Sequence, residues 1–347
     1  MCIIGLDRIN LVLDVDGLVI DTSKLEESKE FREGNGLFIR DTAYDNAHRG
    51  IAHLKIGIDT DSSGQGAVTV ITNDNPNKQA YESLQVLANV VCPRFFYQTN
   101  ERNIYEADKL KQLDTLIPSK LEEKGIYVQS AAISKLEVNT NTDDIMIFPT
   151  MKLVAESQAK DGEKVFIVQT KNGIESIKVN KTSKEIKVYN KSKHIKDMGG
   201  KPEYENLIRF EISTSSKAQL ETLLGKERRI SGIFENWNKI QRWYRRMFKK
   251  EIIDSIIRFS SDTEQKIVNL LCGEVKPPDI VSAMYQNDIY LDYDIVRAAI
   301  KRYYAIQGKK RYYDTFKRIE TRAKMSPSYQ EKIGNIGRLY SFYASIL

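Results

Sequence analysis

Three short segments in the middle of the chain combine strand-like alternation with side chains that can act on a phosphodiester. The segments are Ala131-Ala-Ile-Ser-Lys-Leu-Glu-Val138, Lys187-Val-Tyr-Asn-Lys-Ser-Lys-His194 and Asn206-Leu-Ile-Arg-Phe-Glu-Ile212. Their apolar alternation predicts a β-strand in each, carrying a carboxylate, a phenol or an imidazole. Cleavage of a phosphodiester by transesterification requires a nucleophilic hydroxyl, a metal held by oxygen or imidazole ligands, and a cation for the phosphate.

Two glutamates and one histidine are candidate metal ligands. Glu137 and Glu211 each lie between two apolar residues, so on a strand each carboxylate points to the face opposite its neighbours. Two such carboxylates facing one cleft can hold a hard divalent cation. His194 follows the second strand and could complete the site. The alternatives are solvent-facing acids on amphipathic strands, which the pattern alone favours, and a surface histidine.

Tyr189 is the candidate nucleophile. If Lys187, Tyr189 and Lys191 share one strand face, the phenol lies between two ammonium groups. Nearby positive charge lowers the pKa of a phenol from about 10, and the same cations bind phosphate. The alternative is a tyrosine packed in the sheet, since the chain has 18 tyrosines.

Size and composition predict a globular protein of two domains, or of one domain with an appendage. The chain has 347 residues, of which 41% are hydrophobic and 29% charged. Its apolar runs are too short to span a bilayer, and its first residues do not form a signal peptide. The three cysteines lie far apart, which argues against a structural zinc site and favours a reducing compartment. We therefore expect a cytoplasmic protein without membrane contact.

The first 225 residues predict an α+β domain built on an antiparallel sheet. Strands are predicted at 8–14, 53–58, 66–72, 127–139, 165–168, 176–179, 184–191 and 206–213. Helices are predicted at 80–91, at 103–113, and at 119–124 after a break at Pro118. With many strands and few long helices between them, an antiparallel sheet is favoured over a doubly wound one.

Residues 226–347 predict a helical, basic region. From Asn236 onward there are 21 Lys/Arg and 12 Asp/Glu, which gives this part of the chain a net charge of +9. Since the whole chain carries +6, the first 235 residues have a net charge of −3. Helices are predicted at 217–224, with Ser216 as cap and Gly225 as stop, and at 236–259. The segment 261–264 has capping-box spacing, and helices at 279–285 and 292–304 permit a helix-turn-helix. The candidate DNA contacts of this region are Arg242, Arg245, Arg246, Lys309, Lys310 and Arg311. The alternative is that the basic residues form a solvated face of the helices.

Other enzyme classes have little support in the sequence. The P-loop motif of ATPases, the Gly-x-Ser-x-Gly elbow and the His-Glu-x-x-His metal motif are missing. Asp14-Val-Asp-Gly17 has the form of an aspartate-phosphatase nucleophile motif, but it lacks companion segments.

Together the three segments resemble the replication initiators of filamentous phages, the gene II type rolling-circle endonucleases, and more loosely those of staphylococcal rolling-circle plasmids. The matching residues are Ser134-Lys-Leu-Glu137, Tyr189-Asn-Lys191 and Leu207-Ile-Arg-Phe-Glu211, in the family's order. The resemblance covers about residues 5–225 and is clearest from 125 to 225. This chain has His194 where the family usually has glutamate, and it lacks the His-apolar-His metal motif of many nicking enzymes. If His194 binds the ion, its imidazole favours manganese over magnesium.

The resemblance implies a site-specific nickase that opens one strand at a phage or plasmid origin. Tyr189, with Tyr127 and Tyr204 as alternatives, would stay linked to the 5′ phosphate and leave a 3′ hydroxyl as primer. Glu137, Glu211 and His194 would hold Mg²⁺ or Mn²⁺. The DNA or phosphate contacts would be Lys187, Lys191 and Arg209.

The resemblance also implies partners. These are origin DNA, single-stranded or supercoiled, and the helicase and polymerase of a bacterial host. Two other hypotheses remain open at this point: a non-catalytic DNA-binding replication or copy-control protein on a related fold, and an RNA-binding or assembly protein.

Overall fold

The fold is α+β, as predicted. A computed structural model describes residues 3–14, 19–20, 38–41, 52–59, 66–73, 85–97, 101–123, 126–145, 147–170, 173–197, 199–273, 275–287, 289, 291–324, 333–334 and 336–347. No helix in this part of the chain combines the length and apolar character that a membrane span needs.

Ten strands of the described chain form one antiparallel sheet. The described chain has fourteen strands in all, which are β1 (Gly5–Leu13), β2 (Val19–Ile20), β3 (Phe38–Asp41), β4 (Ala52–Asp59), β5 (Gly66–Asn73), β6 (Gln85–Val91), β7 (Ile126–Tyr127), β8 (Ala131–Thr142), β9 (Lys164–Thr170), β10 (Gly173–Lys181), β11 (Lys184–Asn190), β12 (Ile208–Thr214), β13 (Leu291–Asp292) and β14 (Ile333–Gly334). The sheet order is β3-β4-β5-β6-β1-β8-β12-β11-β10-β9. Strands β2 and β7 form one separate pair, and β13 and β14 another.

The central strands have one apolar and one polar face. Leu136, Val188 and Phe210 alternate with Glu137 and Glu211, which places apolar side chains on one face and charged side chains on the other. The polar face matters for chemistry because the predicted site residues lie there. It is called the site face below.

The helices of the described chain are α1 (Ala107–Glu123), α2 (Ile147–Lys160), α3 (Lys191–Asp197), α4 (Lys217–Leu224), α5 (Ser231–Glu235), α6 (Trp237–Phe248), α7 (Asp254–Cys272), α8 (Ile280–Gln286), α9 (Tyr293–Ile306), α10 (Tyr313–Lys324) and α11 (Ile336–Ile346). A π-helical turn, Lys249–Ile253, joins α6 to α7. The Phe210 ring centroid lies 5.4 Å from that of Phe248 and 4.9 Å from that of Phe342, so the C-terminal helices share the core of the sheet. A domain boundary at residue 225 stays a prediction.

Most predicted elements are present. The predicted strands match β1, β4, β5 and β8–β12 to within a few residues. The cap of α4 is confirmed, because the Ser216 side chain accepts a hydrogen bond from the Gln219 amide and the helix ends at Gly225 with a positive φ of 92°.

Three local predictions were wrong, and one helix was missed. The helix expected at 80–91 is strand β6 over its described part, 85–91. Helix α1 begins at Ala107 and continues through Pro118 without a break. The capping-box segment 261–264 lies inside α7, and helix α2 was not predicted. The turns expected at 60–64 and at Asn172 lie outside the described residues.

Candidate active site

The two predicted glutamates converge on the site face, together with an aspartate. Glu211 of β12 is in register with Asn139 of β8, two residues from Glu137. Carboxylate oxygens of Asp7, Glu137 and Glu211 lie within 4.8 Å of one another, and all three side chains are buried. Three oxygen ligands at this separation can surround one divalent cation. These residues are called the acidic cluster.

Asp7 reaches the cluster because of a β-bulge. The pairing of β1 with β8 shifts register between Leu6 and Arg8. Leu6 and Ile9 are therefore both fully buried in the core, while the intervening Asp7 joins the carboxylates on the site face. Without the bulge, Asp7 would lie two residues before the buried Ile9 in a regular strand and would point toward the core. The sequence carries no periodic signal for a bulge.

Lys187 is engaged with the cluster. Its ammonium lies 3.2 Å from Glu137 Oε2 and 3.4 Å from Glu211 Oε2. It also lies 3.0 Å from Glu185 Oε1. The register explains these contacts, since Lys187 of β11 is directly opposite Glu211. A DNA contact by Lys187 stays a prediction.

Tyr189 lies at the rim of the cluster. Its hydroxyl donates a hydrogen bond of 2.5 Å to Glu211 Oε1, and its side chain is half-buried. Strand β11 ends at Asn190, so Lys191 opens helix α3 instead of continuing the strand. The Lys191 ammonium nevertheless lies 5.7 Å from the Tyr189 ring centroid.

The pKa values of the buried Glu211 and Asp7 carboxyls are shifted in opposite directions. Burial and the charges of Glu137 and Asp7 raise the pKa of Glu211 from 4.5 to about 8. Burial also acts to raise the pKa of Asp7, but the charges of Arg209 and Lys191 outweigh it and lower that pKa from 3.8 to about 2.

The pKa of Tyr189 moves against the sequence expectation. Burial and the Glu211 carboxylate raise it well above 10, because they outweigh the charge of Arg209. The predicted lowering by two flanking lysines is wrong for this arrangement. For Lys191, burial and the neighbouring Arg209 lower the pKa from 10.5 to about 7.

Arg209 is part of the buried framework. Its side chain has 0% exposure, and its Nη1 atom lies 3.0 Å from Asp7 Oδ1. The remaining donors bind Asn141 Oδ1 at 2.9 Å and the Glu101 carbonyl at 2.8 Å. The phosphate contact expected from the sequence is incompatible with this burial. Instead, Arg209 holds Asp7 ionised and positions it in the cluster.

We expect replacement of Arg209 by methionine to be strongly destabilising. It leaves the buried Asp7 carboxylate without its main counter-charge, which typically costs about 3–5 kcal/mol of unfolding free energy. Urea denaturation measures the loss. The matched control is Arg338→Met, because Arg338 pairs with Asp144 at the surface, where a pair contributes about 0–1 kcal/mol. A loss for Arg209→Met no larger than the control would contradict this structural role.

The cluster suits a hard divalent ion. Among the described residues, Glu137 Oε1 and both side-chain amide atoms of Asn139 are buried without a hydrogen-bond partner. A buried oxygen left unpaired is costly, and a bound cation would remove that cost. Three carboxylate oxygens are ligands that Mg²⁺ and Mn²⁺ accept. The donor set therefore fits such an ion.

The other predicted site residues lie elsewhere. His194 is exposed and packs edge-on against Tyr189, with centroids 5.9 Å apart, and the acidic cluster does not include it. Asp7, and not His194, is the third member of the acidic cluster. Arg245 donates to the Ile346 carbonyl at 2.8 Å. The remaining candidate DNA contacts, Arg242, Arg246, Lys309, Lys310 and Arg311, are exposed on the helical region.

Comparison with known proteins adds little. No protein-family model matches the chain, and no curated protein matches it. Among solved structures, the chain is similar to the rolling circle replication initiator protein from Geobacillus stearothermophilus. The two are 11% identical, with 68% of this chain and 85% of that chain covered and a TM-score of 0.30. A likeness of this degree carries no argument about function.

Proposed function

We propose that this protein nicks one strand of DNA at a replication origin by transesterification onto Tyr189, as the first step of rolling-circle replication. The carrying observation is that the Tyr189 hydroxyl meets the acidic cluster, 2.5 Å from Glu211 Oε1. A phenol, a candidate metal site and lysines on one sheet face are the groups that this reaction needs. The resemblance of the three strand segments to rolling-circle initiators supports DNA as the substrate class.

Asp7, Glu137 and Glu211 would hold the divalent ion. A bound ion of this kind supplies Lewis-acid polarisation of a phosphate oxygen and counter-charge for the transition state. Arg209 keeps Asp7 ionised for this purpose. Lys187 contacts the Oε2 atoms of both glutamates, and Glu211 Oε1 accepts the hydrogen bond from Tyr189.

Tyr189 would carry the covalent step. Its oxygen attacks the scissile phosphorus, and the bond from phosphorus to the 3′ oxygen of the preceding nucleotide breaks. The phenol proton passes to Glu211 in its ionised form through the existing hydrogen bond. The departing oxygen takes a proton from Lys191, whose pKa of about 7 suits a donor near neutral pH. The products are a 5′-phosphotyrosine and a free 3′ hydroxyl, and the reverse reaction rejoins strands.

The direct test is a covalent adduct. The protein is incubated with labelled single-stranded origin oligonucleotide and Mn²⁺, then run on a denaturing gel. We expect label to migrate with the protein only when metal is present. Binding of the oligonucleotide with no adduct at any metal concentration would refute the nicking function.

A second candidate is a non-catalytic DNA-binding protein on a decayed nuclease site. The observation that favours it is the position of Lys187, whose ammonium already bridges Glu137 and Glu211. In such a protein the lysine would replace the metal as permanent counter-ion. Metal-dependent stabilisation of the fold separates the two candidates.

The exposed arginines of α6 would bind the phosphates of duplex origin DNA. Arg242 and Arg246 lie four residues apart and so project from one side of the helix. Replacing both with glutamine should weaken duplex binding and make the slope of log affinity against log salt shallower by about 2. Anisotropy titrations at several salt concentrations measure this slope. The control is Lys217→Gln on α4, and an unchanged slope in the double variant would exclude this surface.

A further inference from the structure

Two large apolar side chains are exposed on the edge strand of the sheet. Phe166 and Val168 of β9 have relative exposures of 54% and 50%. Their neighbours in sequence, Val165 and Ile167, pack against the core on the other face. The exposure therefore belongs to the correct strand register, with one side of β9 in the core and the other facing outward.

The exposed side chains lie on the site face. Phe166 is in register with Lys178 of β10, which is in register with Lys187 of β11. By the same pairing, Val168 is in register with Ser176, which is in register with Tyr189. Residues in direct register project from the same face, and adjacent strands are about 4.8 Å apart. Phe166 therefore lies about 10 Å from Lys187, across a single intervening strand.

Cations fill the space between this apolar pair and the acidic cluster. Lys178 and Lys187, on the two strands between, both approach the one carboxylate of Glu185, at 2.6 and 3.0 Å. Lys187 also contacts Glu137 and Glu211, whereas Lys178 is 40% exposed beside Phe166. An aromatic ring beside a cationic strip suits a ligand with flat apolar groups on an anionic backbone.

We propose that the surface formed by Phe166, Val168 and Lys178 binds unpaired bases of single-stranded DNA that flank the scissile phosphate. A base would stack on the Phe166 ring, and Lys178 would meet the adjoining phosphate. The inference rests on the proposed nicking function for its substrate. It adds a binding surface on β9 and β10, which would guide the single-stranded DNA to Tyr189.

A second copy of this chain is a poorer occupant of the same surface. The apolar groups are on the face of the sheet, whereas pairing of two β9 edges would use the backbone. A second copy would also bring an identical cationic strip against Lys178. Single-stranded DNA offers opposite charge and rings for stacking.

The test measures binding without cleavage. The full-length protein is titrated, with chelator present, into a fluorescein-labelled oligothymidylate of about 16 nucleotides. We expect Phe166→Ala to weaken binding about 5- to 100-fold, because stacking of one base contributes this much, and Phe166→Trp to retain binding. The control is Phe234→Ala, which removes an exposed phenylalanine from α5 in the helical layer. Circular dichroism verifies the fold of each variant.

The outcomes separate this surface from the nicking function. Loss of binding in Phe166→Ala supports the surface, whether or not the wild-type protein forms the Tyr189 adduct. Unchanged affinity in Phe166→Ala overturns it, even if the adduct forms. Two other results also overturn it: tighter binding of an RNA oligonucleotide of matched sequence, or a wild-type dimer that Phe166→Ala converts to monomer without loss of DNA affinity.

Discussion

Replacing Tyr189 with phenylalanine is expected to abolish covalent attachment to DNA while DNA binding is retained. The substitution removes only the hydroxyl, which is the nucleophile and the donor to Glu211 Oε1. Removal of a covalent nucleophile commonly costs more than about 10³-fold in rate. The measurement is the protein–DNA adduct on a denaturing gel, with oligonucleotide affinity determined in parallel.

Two other tyrosines serve as controls for this experiment. Tyr127 and Tyr204 were the sequence alternatives for the nucleophile, and their side chains are exposed at 38% and 48%. Tyr127 lies on β7, outside the ten-stranded sheet, and Tyr204 precedes β12. Tyr127→Phe and Tyr204→Phe should therefore form adduct at the wild-type level. An adduct that persists in Tyr189→Phe and disappears in one of the controls would move the nucleophile to that residue.

The sequence could predict the strands of the site because their alternation is strict. Glu137, Tyr189 and Glu211 alternate with buried apolar residues, and the antiparallel pairing then places all three on one face. The class of the fold follows from the same pattern. The shared strand face predicted for Lys191 failed, since it begins helix α3.

The contribution of Asp7 and the burial of Arg209 could not be predicted. Asp7 depends on a bulge, which adds one residue and reverses the face of its neighbours without any compositional mark. Arg209 alternates correctly onto the site face, but its 0% exposure depends on Asp7, Asn141 and Glu101 closing around it. Side-chain burial of this kind is a property of tertiary packing, which periodicity does not report.

Strand β6 shows how tertiary context overrides local spacing. In Gln85–Val91 the apolar residues at 86, 87, 90 and 91 recur with helical spacing. The segment nevertheless pairs on both sides, with β5 and β1. A short apolar run is compatible with both a buried helix and a central strand. Here the free edges of β1 and β5 favour the strand, since β6 pairs with both.

Metal binding should stabilise the protein, with a pH dependence set by Glu211. Its folded pKa of about 8 lies above the unfolded value of about 4.5. The folded form without metal therefore holds an extra proton between these values, so its stability decreases as pH rises from about 5 to 8. A cation requires the ionised carboxylate, so metal affinity should increase about tenfold per pH unit over the same range. At 100-fold excess over Kd the gain is about 2.7 kcal/mol.

Thermal unfolding with and without Mn²⁺, at several pH values, measures both effects. Glu137→Gln should abolish the metal-dependent shift, whereas Glu185→Gln, a matched change outside the acidic cluster, should keep it. Lys187→Met separates the two proposed functions. If the cluster binds metal, removal of the competing ammonium destabilises the protein without metal and makes Mn²⁺ stabilise it more than the wild type. If Lys187 is the permanent counter-ion of a decayed site, the same variant is destabilised and Mn²⁺ does not restore it.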